Sequence, residues 1–197
     1  MEQVSFLLTL LAAKGLGALI GGLFLLTRTV PGFADPSLVV RADSVRLVTR
    51  LSHAFNRQLD QLLESGTTVA VGYSVTVLER DGNGPARAVT SLDFVHSAVY
   101  DPATATYAVY RSELAGTADS LVPAGTLPGA KELLAGVSVA LLPVGRAPPG
   151  RQFAARIQAA LNTITIEAMN DQELDLNSLW NYRYPTAVTP WTGPEGR

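Results

Sequence analysis

Residues 67–79, Thr-Thr-Val-Ala-Val-Gly-Tyr-Ser-Val-Thr-Val-Leu-Glu, decide the fold. Large apolar side chains alternate with small or mildly polar ones, which is the period of a β-strand whose two faces meet different surroundings. One face carries Val69, Val71, Tyr73, Val75 and Val77, and the other carries Thr68, Ala70, Gly72, Ser74 and Thr76. We therefore predict a strand with one face in a core and a small-residue face on which something else can lie.

The segments that follow predict the neighbours of this strand. Residues 81–85, Asp-Gly-Asn-Gly-Pro, are typical of a turn because glycine and asparagine adopt positive φ at little cost. A second strand is expected over Ala88–Tyr100, a turn over 101–104 and a third strand over Ala105–Ser112. Three consecutive strands with short turns predict an antiparallel meander.

The segment before residue 67 has a different period. Apolar residues recur every four positions at Leu51, Phe55, Leu59 and Leu63, and Ser65-Gly66 provides a stop. This pattern predicts one main amphipathic helix that packs on the sheet.

The other segments are shorter. A strand is expected over Val137–Val144. Residues 152–161 fit either a strand or a helix, and we favour a strand because the preceding Pro148-Pro149-Gly150 turn is expected to return the chain beside residues 137–144. Further expected elements are a strand over 37–49 with a bulge near Asp43-Ser44, a loop over 115–128, a short helix over 129–135, a strand over 163–168 and a helical turn over 176–180. The fold class is therefore α+β, an antiparallel β-rich sheet or sandwich of six to seven strands with one main helix, and a pure sandwich is the alternative.

The N-terminal 34 residues are typical of an export segment. Residues 4–27 are apolar apart from Lys14, and the short apolar core Leu16–Leu26 is followed by Val30–Ala34. We expect either a signal peptide cleaved after Ala34 or an anchor that keeps residues 4–27 in the membrane. Both place one folded domain, residues 35–184, on the periplasmic or extracytoplasmic side, and residues 185–197 are expected to form a flexible tail.

Composition removes several function classes. The chain contains no cysteine, which excludes a disulfide framework, thiol catalysis and cysteine-ligated metals. Its net charge is −2 and it lacks a block of basic residues, so no nucleic-acid partner is predicted.

Several short sequence motifs follow one another along the chain. A helix ending in QLLESG precedes the strand TTVAVGYSVTVLER, and YDPATATYAVYR, PPGRQFAARIQAAL and LWNYR follow. Over residues 38–184 this order resembles the bacterial envelope family called domain of unknown function 4390. The resemblance implies a secreted or membrane-anchored protein of this fold class and implies no particular chemistry.

No catalytic or metal site is predicted. Of the two histidines, His53 falls on the polar flank of the expected helix, and His96 points to the strand face opposite Ser91 and Asp93, so no local triad forms. The acidic residues Asp171, Glu173 and Asp175 alternate as calcium ligands do, but the loop glycine and the closing glutamate are missing. We therefore predict no metal and no cofactor.

The C-terminal part concentrates aromatic residues around an arginine. Tyrosine, tryptophan and arginine dominate protein interfaces, so we take the speculative interaction residues to be Trp180, Tyr182, Arg183, Tyr184 and Trp191. The alternative is that Trp180 and Tyr182 close the core.

The predicted function is a non-enzymatic protein-interaction module of the bacterial envelope, whose partner is another envelope protein. One alternative is a carboxylate-based hydrolase, for which Asp93 and Glu167 are an example of a separated acid pair. Another is a small-ligand or lipid carrier that uses the small-residue face at Ala70, Gly72 and Ser74.

Overall fold

The computed structural model describes residues 30–40, 44–111, 120–143, 150–166 and 172–193. Two helices, α1 (Arg57–Glu64) and α2 (Leu127–Ala135), and a 3-10 helix (Leu176–Trp180) lie among the strands. The strands are β1 (Gly32–Val40), β2 (Ser44–Ser52), β3 (Val69–Asp81), β4 (Arg87–Asp101), β5 (Thr106–Arg111), β6 (Ser120–Ala124), β7 (Gly136–Pro143), β8 (Arg151–Leu161), β9 (Thr163–Ile166), β10 (Gln172–Asp175) and β11 (Thr186–Val188).

The strands form antiparallel sheets. The largest has six strands in the order β11-β8-β3-β4-β5-β6, and a three-stranded sheet has the order β1-β2-β7. Strands β9 and β10 form a separate pair. This architecture confirms the predicted α+β class with an antiparallel six-stranded sheet.

Strand β3 lies inside the six-stranded sheet, between β4 and β8. Its odd-numbered residues from Val69 to Val77 are buried, as the alternation predicts. Both helices pack against the sheet on this inner side, and the Phe33 ring of β1 lies 6.4 Å from the Tyr73 ring. The core therefore lies between the inner face of the six-stranded sheet and a cover made by the helices and the three-stranded sheet.

The main helix begins later than its apolar period indicates. Asn56 caps α1 by accepting a hydrogen bond from Leu59 N, and Leu59, Leu62 and Leu63 are buried. Leu51 belongs to β2 and His53 has a left-handed backbone with φ 54°. The prediction that His53 lies in the helix is therefore wrong, since a strand end and a turn precede the helix there.

Three other predictions differ from the structure or are settled by it. The strand expected over 37–49 is a β1–β2 hairpin, with an irregular register between Ala34 and Ser37, and residues 41–43 lie outside the described ranges. The loop expected over 115–128 contains β6. Residues 152–161 form a strand, as favoured, but the expected pairing with residues 137–144 is wrong. Strand β8 pairs with β3 over eleven residues, and β7 pairs with β2 in the three-stranded sheet.

Both ends of the predicted domain continue into regular structure. Residues 32–34, assigned to the export segment, lie in β1 opposite Arg50–Ser52. Thr186–Val188, assigned to the tail, pairs with β8 as β11. Residues 1–29 lie outside the described ranges, and no helix in the described part of the chain is both long and apolar enough to span a bilayer.

Asn177 joins the 3-10 helix to the end of β8. Its side chain accepts a hydrogen bond from Leu161 N at 2.8 Å and donates one to Leu161 O at 2.9 Å, in a buried setting. One side chain thus satisfies both backbone groups of a strand residue, as a further strand would.

We expect Asn177→Ala to lower the free energy of unfolding by about 3 kcal/mol, because it leaves two buried backbone groups without partners. Urea denaturation monitored by tryptophan fluorescence measures the change. Asn83→Ala, in an exposed turn, is the matched control and should change it by less than about 0.5 kcal/mol. Equal effects of the two substitutions would show that Asn177 is not a structural link.

Candidate functional site

The side of the six-stranded sheet that faces away from the core is open. Register places Ser74 of β3 between Asp93 of β4 and Gln158 of β8, and Gly72 between Val95 and Ala160. We call this surface the outer face. It includes the small-residue face of β3 that the sequence predicts.

A groove runs over the middle of the outer face. Its volume is about 570 Å³, and its lining includes Gly72, Ser74, Asp93, Val95, Tyr110 and Ala160. Val95 and Tyr110 are large apolar residues that remain 48% and 42% exposed. The groove is a solvent-open depression, whereas a carrier that encloses its ligand would place the void within the core.

Asp93 is a carboxylate on the outer face. It is exposed and lines the groove. The second acid of the hydrolase alternative, Glu167, lies outside the described ranges. The described structure therefore gives no separation for this pair.

Under the opposite face of the sheet, His96 and Tyr73 meet at one carbonyl. Leu134 O accepts a hydrogen bond from the Tyr73 hydroxyl at 2.7 Å and lies 3.1 Å from His96 Nδ1, which therefore carries the proton. Burial lowers the pKa of His96 to about 4; the hydrogen bond to Leu134 O acts to raise this pKa, and the charge of Arg111 acts to lower it. Burial raises the pKa of Tyr73. Near neutral pH both groups are uncharged donors in the core, as expected for structural residues.

His53 is exposed and lies next to a second depression, of about 430 Å³. The positively charged side chains lining it are paired with carboxylates, Arg50 with Glu132 and Lys131 with Asp60 at 2.8 Å. His96 is in the core, so the two histidines occupy different surroundings and do not form a site with Ser91 or Asp93, which lie on the outer face.

The acidic residues near the C-terminal end have structural roles where they are described. Asp175 caps the 3-10 helix by accepting a hydrogen bond from Asn177 N at 2.9 Å, and Glu173 is exposed in β10. Asp171 lies outside the described ranges. Across the part of the chain that the structure describes, no three histidine or acidic side chains group as metal ligands do.

Sequence reasoning missed one buried carboxylate. Glu79 continues the buried alternation of β3, is 5% exposed, and accepts hydrogen bonds from Arg87 at 2.7 and 3.0 Å. Arg151 approaches to 3.8 Å on the other side. Its odd-numbered position is the signal that could have found it. The two arginines make it a structural ion-pair centre.

The predicted C-terminal interaction residues differ in their exposure. Trp180 is fully buried, and its indole N–H donates to Ala54 O at 2.8 Å. Trp191 is partly exposed, with the Arg80 guanidinium 4.2 Å from its ring centroid. Trp180 therefore closes the core and offers no surface to a partner, which is the alternative that the sequence left open for this residue.

Tyr182, Arg183 and Tyr184 are exposed, and we call this segment the Tyr182–Tyr184 loop. Tyr182 is 60% exposed and Tyr184 is 45% exposed. Asn181 and Tyr182 have left-handed backbones, with φ 52° and 54°, an uncommon conformation for residues other than glycine. Three backbone hydrogen bonds fix the start of this loop: Asn181 N donates to Ser178 O, Tyr182 N to Asn177 O, and Arg183 N to Trp180 O.

Comparisons with known proteins do not assign a family to the chain. No family model matches it, and neither the curated proteins nor the solved structures include a significant match. The resemblance to domain of unknown function 4390 therefore stays a prediction from the quoted phrases.

Proposed function

We propose that this chain is an exported or membrane-tethered protein of the bacterial envelope, related to domain of unknown function 4390, that acts as a non-enzymatic protein-interaction module. Its partner is another envelope protein. The apolar segment of residues 4–27 supports the location. The exposed Tyr182–Tyr184 loop is the single observation that supports the interaction role.

The Tyr182–Tyr184 loop combines exposed aromatic area with a fixed backbone. Tyrosine side chains supply large contact areas with few rotatable bonds, and a preorganised loop loses less entropy on binding. Residues held in left-handed conformations cluster at binding and catalytic sites, where the rest of the structure offsets their cost. The buried Trp180 and the Asn177 bridge fix the base of this loop.

Photo-cross-linking in the native host tests this function. A photoreactive amino acid at Tyr184 of the full chain should give one discrete adduct with another envelope protein. The same amino acid at Arg57, exposed on α1, should not give it. An adduct at both positions, or at neither, would contradict the proposed site.

A second variant separates binding from folding. Because Tyr182 and Tyr184 are exposed, replacing both with serine should leave the thermal midpoint of the full chain nearly unchanged. It should reduce recovery of the cross-linked protein in affinity purification at least tenfold. Undiminished recovery would show that the partner binds elsewhere.

A further inference from the structure

The outer face carries opposite charges on either side of β3. Asp93 is exposed on β4, and Arg156 is exposed on β8. Neither side chain makes a hydrogen bond or ion pair within the described ranges. Register places Asp93 opposite Ser74 and Arg156 opposite Thr76, two residues along β3. Strand spacing then puts their Cα atoms about 12 Å apart.

The shape of the outer face is also unequal across β3. On β4, Val95 is 48% exposed and stands beside Gly72. On β8, the residue opposite Gly72 is Ala160. The β4 side therefore presents a large apolar side chain at the level where the β8 side presents a small one.

Two copies of the sheet can pack with their outer faces together, related by a twofold axis that lies midway between them and runs parallel to β3. This axis exchanges the β4 side of one copy with the β8 side of the other. It places β4 of each copy over β8 of the other copy, so Val95 meets the small side chain of Ala160. The same operation brings Asp93 of one copy near Arg156 of the other, within the reach of the long arginine side chain, and it does so twice. Such an interface is isologous, as in most homodimers.

We propose that the outer face binds a second copy of this chain, with sheets packed face to face around β3. Opposite charges and unequal side-chain sizes make the surface complementary to itself, and the small residues Gly72 and Ser74 let the two sheets approach closely. Sheets packed in this way keep their strands within about 30° of each other. The Tyr182–Tyr184 loop adjoins the β8 edge of this face, since Pro185 O accepts a hydrogen bond from Ala159 N. The dimer does not depend on the proposed function.

Sedimentation of the purified full chain tests the dimer. It measures the mass of the protein particle after the contribution of any bound detergent is subtracted. Wild-type protein should have twice the mass of one chain, and Val95→Glu should halve it. Val48→Glu is the matched control, because Val48 is 37% exposed on the three-stranded sheet, and it should remain dimeric. A monomeric wild type, or a dimer that survives Val95→Glu, would overturn the proposal.

A charge exchange tests the register. Asp93→Arg and Arg156→Asp should each raise the dissociation constant at least tenfold, because like charges then face each other, and the double variant should restore dimerisation. Failure of the double variant to restore it would overturn the arrangement. All of these positions are exposed, and circular dichroism checks that each variant is folded; Val95→Ser replaces Val95→Glu if the glutamate perturbs the strand. A wild-type monomer that loses a different co-purifying protein on Val95→Glu would assign the face to that protein instead.

Discussion

Trp180→Ala is expected to lower the free energy of unfolding by about 5 kcal/mol. Removing a fully buried tryptophan costs about 3–5 kcal/mol, and the Ala54 carbonyl also loses the indole donor 2.8 Å away. Because small domains are stable by only about 5–15 kcal/mol, this loss removes about a third or more of the total free energy of unfolding. Urea titration followed by far-ultraviolet circular dichroism measures the loss.

The second tryptophan of the chain is the matched control. Trp191 is partly exposed and its recognised contact is the stacked guanidinium of Arg80, an interaction that contributes about 0.5–1 kcal/mol at exposed sites. Trp191→Ala should therefore cost about 1 kcal/mol. If Trp180→Ala is too unstable to purify, Trp180→Phe leaves a smaller cavity and removes only the donor to Ala54 O, so it should lose about 2 kcal/mol. Similar losses at both tryptophans would contradict the assignment of Trp180 to the core.

Acid should destabilise the protein through His96. Its pKa of about 4 in the folded state lies below the ordinary value of 6.5, so the unfolded chain takes up a proton first as the pH falls. The contribution of neutral His96 to the free energy of unfolding is fully present above pH 6.5 and is lost progressively as the pH falls to 4. At about 1.4 kcal/mol per pH unit this residue accounts for a loss of about 3 kcal/mol.

Comparison of wild type with His96→Asn isolates this contribution from that of the carboxylates. Asparagine can still donate to Leu134 O but takes up no proton, so the variant should lose about 3 kcal/mol less than wild type between pH 7 and pH 4. Urea denaturation at a series of pH values between 7 and 4 measures the free energy of unfolding of both proteins. An equal decrease in wild type and His96→Asn would show that His96 is protonated equally in the folded and unfolded states.

Local patterns predicted the elements whose signal is local. The alternation over 67–79 is uninterrupted, and β3 follows it residue by residue. The start of α1 was misplaced because Leu51 is apolar at the right spacing for a helix and is equally suited to the buried face of β2. The turn at His53 carries no glycine or proline to mark it.

The hairpin at the start of the domain was missed for a related reason. Leu38, Val40, Val45 and Leu47 keep an alternating pattern on both sides of the reversal, so one bulged strand and two paired strands look alike in the sequence. Pairing itself decides between them: β2 pairs with β1 on one side and, on the other, with β7, almost a hundred residues later in the chain.

The surfaces could be predicted only in part. Small residues at Gly72 and Ser74 indicated an unusual face, but Val95, Tyr110 and Ala160 join it through strand register, which single-sequence patterns do not reveal. At the C-terminal end, composition indicated an aromatic cluster. Separating Trp180 from Tyr182 required the carbonyl of Ala54, which lies 126 residues earlier in the chain.

The start of β1 leaves the domain almost no slack at its N-terminal end. Pro31 is already buried and Gly32 already pairs with Ser52. If residues 4–27 are retained in a bilayer, the few residues that join them to β1 span at most about 20 Å. The start of β1 would then be held close to the membrane surface, which limits how far the domain can move away from the lipid headgroups.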